Sequence, residues 1–255
     1  GASNSDNITK INTPTLDGTA ETGSAVKLYS DNPSATQIGS GTATGGNYSI
    51  TVSLLGDGVH NITATAEDTA GNVSAPSSAL SVTIDTASPN MPTLALDPAS
   101  DTGSSNTDRI TNDNTPTFNG TAEASSTLEL VRGGSIFMGT TAADGSGNWS
   151  FTVTTTLSDG PHSIEGKATD IAGNASGSST PLSLTIDTSA PGLTSIDVPV
   201  NGTYGAGQNL DFVVHYNESA LVTGVPRVGL TIGGSPTRYA NFLSGNGTTA
   251  LMFRY

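Results

Sequence analysis

The sequence predicts an all-β chain of tandem immunoglobulin-like β-sandwich domains, and three observations support that prediction. Residues 57–85 and 159–187 repeat one pattern, with Asp-Gly-x-His-x-Ile, Asp-x-Ala-Gly-Asn and Thr-Ile-Asp in the same order. The ordered runs are rich in Thr, Val and Ile and alternate apolar with polar residues, as half-buried strands do. Turn signals such as Asp-Gly separate these runs at short intervals. About seven short strands per roughly 100 residues are typical of an immunoglobulin-like sandwich.

The predicted strands follow one another in the same order in both copies. Each copy opens on Asn-Thr-Pro-Thr, where the early proline suits a strand edge. The stretch after residue 29 or 131 is predicted to be a loop, because it differs most between the copies. The remaining strands are predicted at residues 25–29, 47–53, 62–66 and 80–84 in the first copy and at 127–131, 148–154, 164–168 and 182–186 in the second.

We expect three domains, at residues 1–88, 89–190 and 191–255. The second copy has a fuller beginning, because residues 92–97 read as a first strand and residue 1 aligns only with residue 103. Domain 1 is therefore expected to lack its first strand here, as an N-terminally truncated repeat. Domain 3 has a different strand pattern, at 193–198, 210–216, 227–232, 237–243 and 251–255, and is expected to be a C-terminally incomplete sandwich of another subtype.

The charge balance excludes several classes of function. The 255 residues carry 22 acidic and 8 basic side chains, a formal net charge of -14. No basic surface is available for nucleic acid, and anionic membranes are equally disfavoured. No apolar run is long enough for a membrane-spanning helix, so membrane insertion is not expected. The chain has no Cys, so metal ions are the stabilising elements that the composition leaves open. We expect a monomer.

The acidic residues fall where sandwich loops meet. In a seven-stranded sandwich, the second-to-third and sixth-to-seventh strand loops lie at the N-terminal pole, the end where the chain enters the domain. Asp85 ends domain 1, so it is delivered to the N-terminal pole of domain 2, beside Glu123 and Asp170, with Asn174 or backbone carbonyls as helpers. Calcium accepts six to eight oxygens in irregular geometry, so this set predicts a Ca²⁺ site. Glu21 and Asp68 are the equivalent pair of domain 1.

Two further acidic sets are candidates for metal binding. The first lies at the opposite, C-terminal pole of domain 2, and consists of Asp97, Asp101, Asp108 and Asp113. The second pairs Asp187, which leads into domain 3, with Glu218. Without a cation, carboxylates held close together would cost several kcal/mol in repulsion and desolvation. The alternative is that all these acids are solvated loop residues.

No catalytic set is predicted, and the chain is not expected to be an enzyme. His60 and His162 occupy one repeat position, which favours a structural role for both. The sequence has no Cys and no Gly-x-Ser-x-Gly elbow. Asp57 and Asp159 are interpreted as turn residues, since Asp-Gly is a turn signal by itself. Trp149 is expected to pack in the core rather than to form a sugar-binding platform.

The combination of these motifs resembles the bacterial Ig-like repeats of giant surface adhesins, the biofilm-associated and type I-secreted adhesins of Gram-negative bacteria. The resemblance covers residues 12–191, from Asn-Thr-Pro-Thr-x-x-Gly-Thr-Ala-Glu to Thr-Ile-Asp-Thr-x-x-Pro. Domain 3 is similar to another module of the same proteins, with Glu218 in an Asn-Glu-Ser loop. The resemblance implies extended rods, joints stiffened by calcium, an extracellular or cell-surface location and no catalysis.

These expectations lead to one main functional hypothesis and two rivals. The main hypothesis is a calcium-stiffened structural spacer of a bacterial cell-surface adhesin, which acts in cell adhesion and biofilm formation. Its partners would be the neighbouring Ig-like domains, with a host or matrix glycan or protein bound through distal domains. One rival is direct ligand recognition by domain 3, for which exposed aromatic residues such as Tyr204, Tyr239 and Phe242 would be evidence. The other is a set of accessory modules of a secreted polysaccharide-degrading enzyme.

Overall fold

The computed structural model describes residues 3, 5–31, 36–231 and 238–255. In this part of the chain every regular element is a β-strand. The same residues contain no helix that is long and apolar enough to cross a membrane. The chain divides into two compact units, residues 1–188 and 189–255. The first unit contains both copies of the repeat.

Domain 1 is a sandwich of two sheets. Its larger sheet has the order β1-β7-β6-β3-β4, and its smaller sheet pairs β2 with β5. The short β1 runs parallel to β7, while the other pairs are antiparallel. Its strands are β1 (Ile8–Thr9), β2 (Thr15–Thr19), β3 (Ala25–Ser30), β4 (Thr36–Thr42), β5 (Asn47–Thr51), β6 (Gly58–Glu67) and β7 (Leu80–Ile84).

Domain 2 repeats this topology and adds one strand to the smaller sheet. The larger sheet has the order β12-β11-β14-β15-β9, and the smaller sheet has the order β13-β10-β8. The added strand is β8, and nothing corresponds to it among the described residues of domain 1. The strands are β8 (Ala95–Leu96), β9 (Ile110–Thr111), β10 (Thr117–Thr121), β11 (Thr127–Arg132), β12 (Ile136–Ala142), β13 (Asn148–Thr152), β14 (Gly160–Thr169) and β15 (Leu182–Ile186).

The described residues of the second unit form one antiparallel sheet of order β16-β17-β20-β19-β18. Ile232, at the end of one predicted strand, and Thr237, at the start of the next, lie outside the described residues. The core of this unit is small and includes Val214, Ala240, Leu251 and Phe253. The strands are β16 (Leu193–Asp197), β17 (Asp211–Ala220), β18 (Arg227–Leu230), β19 (Arg238–Ser244) and β20 (Thr248–Arg254).

The core of each repeat lies between its two sheets, and period-two alternation supplies it. In β11, Leu128 and Leu130 are fully buried, while Glu129 between them points to solvent. Phe118 of the smaller sheet faces them and is fully buried as well. Burying a side chain of this size contributes about 1.5–3 kcal/mol of hydrophobic free energy. The same alternation in β3 forms the core of domain 1.

The predicted loop after residue 29 or 131 contains a strand, β4 or β12, and in this respect the loop prediction was wrong. A glycine in the middle of each strand conceals the alternation. A Cβ atom on Gly39 would lie 2.9 Å from Ile50, and one on Gly139 would lie 2.6 Å from Phe151. These positions exclude a side chain because the facing sheet approaches closely. The period-two pattern is therefore interrupted at these two glycines.

Candidate functional site

The candidate site is a loop of domain 2, residues 170–174, which follows β14. Asp170 organises this loop: its Oδ1 accepts a hydrogen bond from Asn174 N, and its Oδ2 accepts one from Asn174 Nδ2, both at 2.8 Å. The backbone closes the turn, since Gly173 N donates to Asp170 O. Gly173 has a φ of 92° and its counterpart Gly71 has a φ of 88°, values that glycine adopts without strain. Asp-x-x-Gly-Asn is thus a local unit that closes on itself.

This loop binds the end of domain 1 directly. Asn174 Nδ2 also donates to the backbone oxygen of Asp85, the residue that follows β7, at 2.8 Å. Lys10, which follows β1, donates from Nζ to Gly173 O at 2.7 Å and from its backbone nitrogen to Ala172 O at 3.3 Å. Because β1 and β7 run in parallel, both segments reach domain 2 at the same place. The joint between the repeats is therefore a hydrogen-bonded contact.

Three predicted metal ligands lie around this joint. The carboxylates of Asp170 and Asp85 both act on Glu123, which follows β10. Partial desolvation first, and then these two negative charges, raise the pKa of Glu123, although its side chain is largely exposed. Asp170 is buried, with 4% of its surface exposed. The joint thus concentrates negative charge.

The donor set fits a hard, oxygen-preferring cation. The candidate ligands are carboxylate and carbonyl oxygens from three separate segments, which suits calcium better than zinc. Within the described ranges, no three His, Asp or Glu side chains already stand close enough together to hold a metal ion. The exposed Glu123 side chain would have to turn toward Asp170 and Asp85 to complete a site. Calcium therefore stays a proposal.

The equivalent residues of domain 1 form the same loop. Asp68 accepts hydrogen bonds from Asn72 N and Asn72 Nδ2, each at 2.8 Å. These hydrogen bonds lower the pKa of Asp68. Glu21 and Asp68 line one groove, as expected for residues at one pole. Asn72 is exposed, whereas its counterpart Asn174 is buried at 7% exposure.

The acids at the C-terminal pole of domain 2 mostly cap their own turns. Asp97, Asp108 and Asp113 each accept a hydrogen bond from a backbone N–H two residues later. Asp101 differs, because it is 6% exposed and its Oδ1 is buried without a hydrogen-bond partner in the described part of the chain. Its Oδ2 accepts a bond from Arg109 N at 3.2 Å. The four carboxylates thus act one by one rather than as a group.

The two residues of the third candidate pair, Asp187 and Glu218, belong to two different compact units. Asp187 follows β15, and its backbone nitrogen donates to Thr111 O at 2.9 Å, as Asp85 N does to Thr9 O. Glu218 lies in an irregular part of β17. Its Oε1 is buried and has no hydrogen-bond partner among the described residues. A buried, unpartnered carboxylate oxygen is costly, which marks Glu218 as a residue of interest.

The histidines and Trp149 have structural surroundings. His60 is 3% exposed, with Nδ1 at 3.0 Å from Ser30 Oγ and Nε2 at 2.8 Å from Gly56 O. His162 makes the equivalent contact to Ser158 O at 2.8 Å. Trp149 is 4% exposed and belongs to the core of domain 2. The prediction of core packing for Trp149 is confirmed.

The aromatic residues of domain 3 do not share one exposed face. Tyr204 and Tyr239 are 42% and 49% exposed. Phe242 is half-buried and packs edge-to-face on Phe253, with ring centroids 5.8 Å apart. Arg227 covers the Tyr239 ring at 4.9 Å. This arrangement weakens the hypothesis of a glycan-binding aromatic platform in domain 3.

Sequence reasoning missed Lys10, which is the cationic residue of the joint. It belongs to the polar first 11 residues, where no periodic pattern is visible, and the residue aligned with it in domain 2 is Asn112. No signal in the sequence could have found it. Its contact depends on the parallel pairing of β1 with β7, which brings a distant segment to the end of the domain.

Comparison with protein families settles what kind of repeat this is. The model of the bacterial Ig-like domain matches residues 1–86 and again residues 88–188, which together make up most of the chain. The chain belongs to the bacterial Ig-like domain family. Its two Ig-like domains are thus consecutive members of one family, and the joint described above lies between them. The comparison with curated proteins found no significant match.

Several solved structures are similar to this pair of Ig-like domains and their neighbour. A tetra-tandem repeat from the extending region of a large adhesion protein is 22% identical, with 97% of this chain and 63% of that chain covered and a TM-score of 0.35. A 1.5-MDa bacterial ice-binding adhesin is 17% identical, with 98% and 83% covered and a TM-score of 0.38. Fibronectin(III)-like modules of Clostridium thermocellum CbhA are 18% identical, with 70% and 88% covered and a TM-score of 0.38.

Proposed function

We propose that this chain is a structural spacer of a bacterial cell-surface adhesin, in which a calcium ion stiffens the joint between the first two Ig-like domains. The spacer holds other, ligand-binding domains away from the cell and contributes to adhesion and biofilm formation. Its direct partners are the neighbouring Ig-like domains of the same chain. Membership of a bacterial Ig-like family supports the structural part of the proposal.

One observation carries the proposal: the loop of residues 170–174 is hydrogen-bonded to the end of domain 1. Asn174 and Lys10 make three hydrogen bonds across the joint. The same contact places the negative charges of Asp85 and Asp170 close enough to Glu123 to raise its pKa. A joint used only as a flexible linker needs neither feature, since Gly- and Ser-rich linkers have no such contacts.

A cation would resolve the electrostatic cost of this joint. Bringing two like charges to about 4 Å costs about 4 kcal/mol at the effective dielectric typical of protein surfaces, so these carboxylates need a cation to approach one another. Asp85, Glu123 and Asp170 would hold the ion, with backbone carbonyls and water completing its coordination. An ion that binds only when both domains are in contact stabilises that contact by mass action. The joint would then be stiff with calcium and looser without it.

The proposal is tested by small-angle scattering and thermal unfolding of the chain with calcium and with a chelator. We expect calcium to raise the melting temperature of the first unit and to fix one interdomain distance. The variant Glu123→Gln should lose both effects. Glu21→Gln is the matched control, because Glu21 occupies the same repeat position in domain 1, outside the contacts described for the joint. An unchanged maximum dimension and melting temperature on chelation would remove calcium from the proposal.

A further inference from the structure

Domain 2 has an apolar groove between β12, the edge strand of its larger sheet, and the segment that follows β13. The groove has a volume of about 140 Å³. Ile136, Phe137 and Met138 line one wall, and Val153 and Leu157 line the other. Ile136 and Phe137 are 53% and 62% exposed, so two large apolar side chains at the edge of the sheet face solvent.

In domain 1 the corresponding place is closed by a backbone hydrogen bond. Ser53 N donates to Ile38 O at 2.7 Å, which joins the segment after β5 to the edge strand β4. Ile38 is buried, whereas Met138, which occupies the same bulge position of β12, is half-buried. The equivalent atoms of domain 2 are Thr154 N and Met138 O, and no hydrogen bond joins them in the described part of the chain. One backbone donor and one backbone acceptor therefore remain available on opposite walls of the groove.

One additional residue in domain 2 explains this difference. In both domains the segment is fixed at its two ends by backbone hydrogen bonds to the residues just before β2 or β10. Two residues lie between the fixed positions Val52 and Leu55, whereas three lie between Val153 and Leu157. The longer segment must bulge between its fixed ends, so it does not make the hydrogen bond to β12.

The residues at the border of the groove also differ between the two domains. By strand register, Ile136 and Phe137 stand where domain 1 has Thr36 and Gln37. Exposed sheet edges are usually protected against pairing by polar or charged residues, and domain 1 follows that rule. Domain 2 instead combines an open seam with apolar residues beside it, which is typical of a surface that binds another chain.

Arg132 gives the groove a positive charge in a chain that has 22 acidic and 8 basic side chains. No acidic side chain lines the groove, and domain 1 has Ser30 at the position of Arg132. Arg132 is half-buried, and the ion pairs of the described residues do not include it. A guanidinium group presents its donors in a fixed fork that matches a carboxylate. The charge of the groove is therefore complementary to an acidic ligand.

We propose that this groove binds an extended, acidic peptide segment of a partner protein. The backbone of the peptide donates to Met138 O and accepts a hydrogen bond from Thr154 N, as a strand added to a sheet edge does. One apolar side chain of the peptide packs against Val153 and Leu157, and an adjacent carboxylate pairs with Arg132. A peptide supplies the backbone donor, the backbone acceptor and the apolar side chain together, whereas a glycan would leave the apolar walls unmatched. This binding role is additional to the spacer function and does not depend on calcium.

The test selects peptides from a display library of short random sequences on the full chain and measures their affinity by fluorescence anisotropy. We expect the selected peptides to share an apolar residue next to Asp, Glu or a C-terminal carboxylate. Arg132→Gln should weaken their binding about tenfold or more, because a hydrogen bond between charged groups is lost. The bound peptide should slow deuterium exchange of the Thr154 amide about tenfold or more, since that amide becomes hydrogen-bonded.

Two further variants separate the groove from apolar exposure in general. Ile136→Thr combined with Phe137→Gln introduces the residues of domain 1 and should weaken binding as Arg132→Gln does. Leu54→Thr is the matched control, because Leu54 is 72% exposed in the corresponding segment of domain 1, where the seam is closed. It should leave peptide binding unchanged. The melting temperature of each variant verifies that it folds, and the double variant serves as the test if Arg132→Gln does not fold.

A selection that yields no peptide of this pattern would overturn the proposal, as would peptides whose affinity is the same for the folded groove variants. Selected peptides that leave exchange at Thr154 unchanged bind elsewhere and would also contradict it. An acidic glycan that binds through Arg132 when no peptide does would assign the groove to carbohydrate instead. A dimer of the unmodified chain with a protected Thr154 amide would show that a second copy fills the groove, which is likewise a contrary result. Addition of a chelator should not change peptide binding, so this outcome is independent of the calcium proposal.

Discussion

At the scale of single residues, one repeat position has two different roles. Asn72 and Asn174 each donate a backbone and a side-chain hydrogen bond to the aspartate four residues earlier, Asp68 in domain 1 and Asp170 in domain 2. Only Asn174 also donates to Asp85 O in the preceding domain. A buried hydrogen bond contributes about 0.5–1.5 kcal/mol, and leaving its partner unsatisfied costs more. Comparing variants at the two asparagines therefore separates the contribution of the loop to stability from that of the joint between the domains.

Asn174→Ala should lower the free energy of unfolding of the first unit by about 1–3 kcal/mol more than Asn72→Ala does. Both changes remove the side-chain hydrogen bond within the loop and keep the backbone one, but only Asn174→Ala leaves Asp85 O without its donor. Urea denaturation of the two variants and the parent chain measures the difference. Equal losses in both variants would contradict a hydrogen-bonded joint.

Glu123→Gln should stabilise the calcium-free chain at neutral pH. The pKa of Glu123 is raised in the folded protein, so the folded state binds more protons than the unfolded state between the two pKa values. Stability from this residue is therefore greatest at low pH and is lost as pH rises above the ordinary range of Glu. Thermal unfolding from about pH 4 to pH 7 with a chelator should show a smaller loss for the variant. A parallel pH profile would place Glu123 outside the charge cluster.

At the scale of elements, β10 carries the close contact between the sheet and its added strand. An ideal Cβ atom on Gly120 would lie 2.1 Å from the backbone oxygen of Thr93, which leaves no room for a side chain. Thr93 is held there by its hydrogen bonds to Thr121. The glycine thus sets how closely residues 91–97 approach the sheet.

Gly120→Ala should destabilise domain 2 by about 1–3 kcal/mol, because the backbone must move to accept the methyl group. Gly145→Ala is the matched control, since nothing lies within 4 Å of a Cβ atom placed there. That variant should stay within about 0.5 kcal/mol of the parent. Chemical denaturation compares them, and equal stabilities would show that residues 91–97 are loosely held.

At the scale of the whole molecule, charge opposes compactness. The formal net charge of -14 comes from acids that are concentrated in loops. Charge of one sign destabilises the compact state through self-repulsion. The first unit depends on interdomain contacts that bring several of these acids together. Its stability should therefore respond to the ionic surroundings.

Sodium chloride should raise the melting temperature of the chain in the presence of a chelator. Screening lengths fall from about 30 Å at 0.01 M to about 8 Å at 0.15 M, so distant acids cease to repel. Calorimetry at these two concentrations measures the shift. Repeating the pair near the pH of zero net charge should abolish it, and a salt effect of the same size there would argue against charge repulsion as the cause.

The fold could be predicted from the sequence where a strand shows side-chain alternation and the same pattern recurs in both copies of the repeat. The alternation of β3 and β11 predicted the sandwich. The repeated Asp-x-Ala-Gly-Asn loop led to the prediction that Asp85, Glu123 and Asp170 share a metal site, and this stays a prediction. Side-chain alternation could not reveal β4 and β12, whose central glycines reflect packing by the opposite sheet. Lys10 was equally hidden, because its role depends on a parallel pairing between segments far apart in sequence.

The joint has a consequence for how such a chain grows. Each repeat contains both parts of the joint: a terminal Asp, such as Asp85, and a receiving loop, such as residues 170–174. Duplicating a whole repeat therefore copies both halves of the junction together. Recombination between repeats would change the length of the chain without requiring a new interface each time. Insertion of a whole repeat would keep every joint intact, whereas insertion of part of a repeat would leave a terminal Asp and a receiving loop without their partners.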